Sequence, residues 1–199
     1  MADILPLLEE IAAIGRIGLT YATNVYDRER YEQLIGLAAR WYGQSLDIPP
    51  DDARERLALD LKTITPKVGA DAAIFDSDGR ILLMKRTDNK RWCMPCGLEE
   101  VGESPAHCAT REAKEETGLD VRIVQLVDVF TRLPSAEYTP YTLVSVLYLC
   151  EVTGGELRSS REDLGLQYWH IEDVPEWHGA QQAQAIAARE AWRNWFARR

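Results

Sequence analysis

Gly97-Leu-Glu-Glu-Val-Gly-Glu103-Ser-Pro-Ala-His-Cys-Ala-Thr-Arg111-Glu112-Ala-Lys-Glu115-Glu116-Thr-Gly118-Leu119 is the stretch around which the 199-residue chain is organised. Its second half reads as a helix. Ser104 suits the N-cap, and Pro105 suits the first helical position, where a missing N–H does no harm. Gly118 suits the position just past the end. At about 100° per residue, Glu112 and Glu116 point within roughly 40° of each other, and Glu115 within about 60° of Glu112. Three carboxylates therefore share one edge of a short helix, and Glu103 approaches from the preceding loop. Like charges at this spacing cost a helix a few tenths of a kcal/mol per pair. A solvated acidic face is one explanation. A bound divalent cation is the other, because Mg²⁺ takes hard oxygen ligands, keeps several waters and accepts phosphate oxygens.

The full pattern, G-x5-E-x7-R-E-(apolar)-x-E-E-x-G-(apolar), resembles the Nudix box, with Ala113 and Leu119 at the apolar places. The resemblance implies a Mg²⁺-dependent hydrolase, with Mn²⁺ as a substitute, that cuts the diphosphate of a nucleoside diphosphate linked to another moiety. It implies that Glu112, Glu115 and Glu116 hold metal, that Arg111 orients the acids through an i,i+4 contact with Glu115, and that Glu103 stands at the rim. The family often has a second glycine before the box, whose carbonyl ligates metal. Here that residue is Cys96, which keeps the carbonyl but has less φ freedom.

The chain on either side differs in texture. Upstream, Leu7, Ile11, Ile14, Gly18, Tyr21 and Val25 form one helical stripe, and Tyr31, Leu34, Ile35, Ala38, Trp41 and Tyr42 form a second, with Asp27 as its expected N-cap. Pro49-Pro50 breaks the chain, and Asp51 is expected to cap a third helix running to about Leu61. Thr65-Pro66 is the expected boundary, giving a helical module over 1–66 and a second domain over 67–199. Downstream, Val68–Phe75 and Arg80–Arg86 read as a hairpin around Asp76-Ser-Asp-Gly79. Val121–Thr131, Thr142–Val152 and Leu166–Ile171 read as further strands, and 179–197 as a closing helix. Interleaved strands and helices predict an α/β fold, a mixed sheet with helices on both faces. The resemblance makes this a Nudix-type α/β/α sandwich.

The helical module ahead of Arg91-Trp92-x-Met94-Pro95-x-Gly97 is similar to the Nudix subgroup that hydrolyses CDP-choline, ADP-ribose and related conjugates. That likeness implies a homodimer built on the module, with a nucleoside monophosphate and a phosphorylated moiety as products. Cleanup of nucleoside triphosphates and non-hydrolytic nucleotide sensing are the alternatives.

Other residues carry open readings. Arg86, at a strand end, suits either a bidentate phosphate contact or an ordinary surface position. Trp92 suits base stacking or, more readily, a core plug. Glu162, in a loop, suits a further ligand or the general base, a role shared with Glu116. Cys93-x-x-Cys96 has no second close pair to complete a zinc site and reads as two small residues in a tight loop. A net charge of −9 argues against a nucleic-acid polymer as partner. No apolar run reaches the ~18 residues of a membrane span. The N-terminus lacks a basic, signal-like region, so the expected setting is the cytoplasm.

Overall fold

The computed structural model describes residues 4–58, 65–133, 142–160 and 163–198. They form two compact units, with the chain-level boundary at Thr65–Pro66.

The first unit is helical: α1 (Ile4–Tyr21), α2 (Val25–Leu46) and α3 (Pro50–Ala58). Small residues let α1 and α2 approach closely. A Cβ on Gly18 would come within 2.2 Å of the Tyr31 ring, so only glycine leaves room for that ring. Ala12, Ala38 and Ala39 are buried beside it, backed by Ile11 and Tyr42. The N-cap of α2 is Asn24, whose side chain accepts the Asp27 N–H at 2.9 Å, and not Asp27 as the sequence suggested. The helix therefore starts three residues earlier than expected. Helix α3 begins at Pro50, which leaves Asp51 inside its first turn instead of at the cap. Residues 59–64, the expected end of α3, lie outside the described residues. Leu7, Ile14, Ile17, Tyr21, Tyr26 and Trp41 of the two long helices are exposed.

Among its described residues the second unit holds seven strands: β1 (Lys67–Ile74), β2 (Ile81–Arg86), β3 (Trp92–Cys93), β4 (Cys96–Leu98), β5 (Leu119–Arg132), β6 (Leu143–Gly155) and β7 (Asp163–Trp169). Its helices are α4 (Pro105–Thr117) and α5 (Gln181–Phe196). One sheet is mixed, in the order β4-β1-β6-β5, with β1 and β6 parallel. A second, antiparallel sheet runs β3-β2-β7.

The expected β1–β2 hairpin is thus a turn without a ladder. Asp76 organises the turn by accepting the N–H groups of Asp78 and Arg80 at 3.0 and 2.9 Å, and Phe75 and Ile81 make one bridge. Beyond that bridge the strands enter different sheets, because both edges of β1 are taken by β4 and β6.

Strand β1 is buried on both faces, as a parallel pair requires. Ala70, Ala72 and Ile74 pack with Cys108, Ala109 and Ala113 of α4. Ala73 faces the opposite cluster, with Ile81, Leu83, Trp92 and Met94 and with Ala185 and Ala188 of α5. The sheet thus carries a helix on each face, and α4 is held against β1 by its small residues.

Candidate active site

Helix α4 starts and stops where its sequence dictates. Ser104 Oγ accepts the His107 N–H at 3.3 Å, Pro105 opens the helix, and Gly118 closes it at φ 77° with its N–H on Lys114 O. With both ends fixed, Arg111, Glu112, Glu115 and Glu116 are fixed in phase.

Arg111 gathers the acids. Its Nε and Nη2 donate to the two oxygens of Glu103, each at 2.9 Å. Its Nη1 donates to Glu112 at 2.7 Å and to Glu115 at 3.3 Å, and its Nη2 also reaches Leu98 O at 3.1 Å. The expected contact with Glu115 is present but is the longest of the carboxylate contacts. Charge-assisted hydrogen bonds of this kind are the strong ones. They raise the Arg111 guanidinium above its ordinary pKa, with Glu103 the largest cause.

Glu116 turns inward. It is 6 % exposed, and its Oε2 accepts the Cys96 N–H at 2.8 Å. That bond sets the Cys96 backbone beside the acid edge of α4. Cys96 needs no positive φ, so the side chain in place of glycine introduces no strain there. Gly97 leaves Glu112 its present orientation, since a Cβ there would stand 1.9 Å from Glu112 Oε1 and push the carboxylate aside. Glu115, by contrast, projects outward, with a side chain 61 % exposed. Burial and the neighbouring Glu103 push the Cys108 thiol up to about 12, the direction expected beside concentrated negative charge.

Four carboxylates gather here, Glu103, Glu112 and Glu115 on Arg111 and Glu116 on the Cys96 N–H, for a formal balance of −4 + 1 = −3 with that single guanidinium. The donors are hard oxygens, and a glycine lets the loop backbone approach one of them. Among the described residues no three acidic, His or Cys side chains close a metal cage by themselves. A cation that retains waters and takes phosphate oxygens does not require one. The donor set therefore fits a hydrated, phosphate-bound divalent cation.

Three comparisons with known proteins bear on this geometry. The family described as "NUDIX domain" matches residues 65–197, the whole second unit apart from its last residues. The chain belongs to the Nudix family. It is a Nudix hydrolase, and such hydrolases generally use divalent metal cations. A second family, "UDP-X-like, N-terminal oligomerisation domain", matches residues 2–56. The Nudix chain is 30 % identical over 169 residues to "Putative ADP-ribose pyrophosphatase YjhB" of Bacillus subtilis (strain 168), covering 84 % of this chain and 78 % of that one. A crystal structure of UDP-X diphosphatase superposes with a TM-score of 0.58 at 26 % identity, covering 99 % of this chain and 96 % of the other. An ADP-ribose pyrophosphatase from Streptococcus suis superposes at 0.56 with 29 % identity, over 65 % of this chain and 93 % of that one.

Arg86 and Trp92, the further candidates of this Nudix chain, lie on β2 and β3. Arg86 ends β2 and grips Asp88 through two bonds of 2.9 and 2.8 Å, which hold the Asp88 carboxyl down at about 2. Trp92 is 9 % exposed, with its ring edge-on to Trp169 at 5.2 Å, which is core packing. Glu162 lies outside the described residues. Cys93 is buried and Cys96 half-buried; both are free thiols, and the Cys96 thiol is pushed up by its hydrogen bond with Cys93 and by burial. His178 has a partner the sequence did not reveal, since its Nδ1 meets Asn89 Nδ2 at 2.9 Å. Burial, then Arg86 and Arg132, lower its pKa to about 4.

A buried polar network was also missed. Asp71, 1 % exposed, accepts from Arg132 Nη2 at 3.2 and 3.1 Å and from Gln181 Nε2 at 3.1 Å, and it bonds Ser145 Oγ. Arg132 Nη2 also donates to Gln184 Oε1 at 2.8 Å. The one sequence signal was a charged residue in the middle of the apolar run Val68–Phe75. Its partners lie 61 to 110 positions away along the chain, beyond the reach of any local pattern.

Proposed function

We propose that this Nudix hydrolase cleaves the diphosphate linkage of a nucleoside diphosphate joined to a second moiety, of the ADP-ribose or CDP-choline type. The products are a nucleoside monophosphate and the phosphorylated second moiety. The cation is Mg²⁺, with Mn²⁺ as a substitute. The observation that carries this reading is the Arg111-clasped set of carboxylates lying against Gly97. The names of the relatives, ADP-ribose pyrophosphatase and UDP-X diphosphatase, support the substrate class.

In this reading Glu112, Glu115 and Glu116 hold the metal, the Cys96 carbonyl assists, and Glu103 stands at the rim, keeping Arg111 in place. When bound, the cation neutralises diphosphate charge and lowers the pKa of a coordinated water. Arg111 spaces the acids so that they converge on one side of α4. A carboxylate, Glu116 or Glu162, takes the water's proton. Arg86 serves as a phosphate contact by exchanging Asp88 for substrate oxygens. Trp92 supports the site from the core.

We also propose that residues 1–66 act as a dimerisation module and 67–199 as the catalytic domain. The exposed apolar side chains of α1 and α2 support this, as does the oligomerisation family matched there.

A product-resolved screen tests the reading. ADP-ribose, CDP-choline, other nucleoside diphosphate conjugates and nucleoside triphosphates are each incubated with Mg²⁺. Monophosphate plus a phosphorylated second moiety is the expected outcome. Pyrophosphate released from triphosphates would favour nucleotide cleanup instead, and binding without turnover would favour sensing.

A further inference from the structure

Gln181, the first residue of α5, is completely buried and spends its whole side-chain amide on two other elements. Its Oε1 accepts the Met94 N–H at 2.6 Å. Its Nε2 donates to Asp71 Oδ1 at 3.1 Å and approaches Cys96 Sγ at 3.5 Å. The two ends cannot be exchanged: Met94 offers a donor and Asp71 offers only acceptors. Gln181 therefore pins the Met94–Cys96 turn from one side. Strand β1 pins it from the other, through Ala72 N–H on Pro95 O at 2.9 Å. The turn ends in the Cys96 N–H that holds Glu116.

We propose that Gln181 is a positioning residue for the cation site. It acts through the turn on the Cys96 amide, and through that amide on the orientation of the Glu116 carboxylate. The acid that α4 supplies is thus aimed by a residue on the helix across the sheet. Partners that orient metal ligands typically set affinity by 10- to 100-fold. The inference rests on the reading that Glu116 holds the cation.

The test is direct Mn²⁺ binding to the full chain without substrate, followed by the loss of the free-ion electron paramagnetic resonance signal. Gln181→Met keeps the volume and removes the amide's hydrogen bonds to Met94, Asp71 and Cys96. We expect its Mn²⁺ dissociation constant to rise about tenfold or more. Glu116→Gln should also weaken binding, and the double variant should bind no more weakly than Glu116→Gln alone. Ile171→Val, a change in the core cluster that also holds Met94 but one that leaves the hydrogen bonds of Gln181 in place, should lower the melting temperature and leave Mn²⁺ binding unchanged. If Gln181→Met does not fold, Gln181→Glu replaces it. That variant keeps the acceptor for Met94 and sets a second carboxylate against Asp71, and it should weaken binding in the same direction. Wild-type Mn²⁺ affinity in the Gln181 variant beside weakened binding in Glu116→Gln would overturn the proposal. So would equal weakening by Ile171→Val, or additive losses in the double variant. Wild-type affinity in Glu116→Gln would instead overturn the metal role of Glu116.

Discussion

Gly97→Ala separates the site from the fold. Gly97 lies in β4 without a positive φ, so its backbone accepts alanine. The new Cβ, however, would stand 1.9 Å from Glu112 Oε1 and 2.2 Å from its Cδ. Real Cβ contacts essentially never fall below 3.0 Å, so the shortfall is 1.1 Å. The atoms in the way are the far end of a flexible side chain, and Glu112 swings aside while the backbone stays. The swing breaks the 2.7 Å bond to Arg111 Nη1, a half-buried charged contact worth about 1–2 kcal/mol, while both Glu103 bonds survive. In a chain of this size that is a fall in melting temperature of a few degrees, about 2–4 °C per kcal/mol. The cost in chemistry is larger, since misplacing a catalytic group by about 1 Å costs on the order of 10²-fold. We therefore expect kcat/KM to fall about 100-fold on the substrate selected by the screen, with melting in EDTA lowered by a few degrees. A Gly97→Ala enzyme within a few-fold of wild type would refute the geometry. A melting temperature lowered by more than 10 °C would show that the backbone, not Glu112, gives way.

Glu116→Gln and Glu112→Gln should each lose at least about 10² in kcat, because the amide removes charge and the proton-accepting form. Glu100→Gln, outside the motif, should stay within a few-fold, and wild-type turnover by Glu116→Gln would end the metal assignment. The Glu112 variant should also melt slightly lower, since Arg111 already relieves the repulsion on α4 and the variant loses that partner. Light scattering should find a homodimer at micromolar concentration and a monomer after deletion of residues 1–66, and a dimer that survives the deletion would remove that role. His178 bears on acid stability. Its folded pKa, about 4, lies below the ordinary 6.5, so the unfolded chain takes up the proton first. Stability is full above pH 6.5 and is lost as pH falls towards 4, by on the order of 1–2 kcal/mol after allowing for partial exposure. His178→Gln should shrink the drop in melting temperature between pH 7 and 4.5, and an unchanged drop would discount the residue.

The acid helix was legible because its determinants are local. Ser104, Pro105 and Gly118 act within one turn, and the phase of Glu112 and Glu116 follows from helix geometry alone. The reach of Arg111 was less legible. Helical spacing suggested Glu115, but a long guanidinium side chain also engages Glu103 in the loop and Glu112 next to it. Strand partnership was hidden for a related reason. The turn at Asp76 looked the same whether β1 and β2 paired or parted, and the outcome depended on β4 and β6 claiming both edges of β1. Asp27 was the expected cap of α2, but the extended backbone at Asn24, three residues earlier, makes that residue the cap and leaves Asp27 in the first turn. The Asp71 network and Gln181 join elements far apart in sequence, and no spacing rule connects them.

The parallel pairing of β1 with β6 also sets a timetable. Lys67 pairs with Leu143, so the two are 143 − 67 = 76 residues apart. At roughly 5–20 residues per second on the ribosome, β1 waits about 4–15 s for its neighbour to be made. Helices α1, α2 and α3 precede β1 in the chain and are complete before it is synthesised. Helix α4 emerges within the interval, fully charged, with its sheet still unbuilt. The helical unit proposed above for dimerisation is thus available many seconds before the acid edge of α4 is seated on its sheet, an order imposed by topology and not by relative stability.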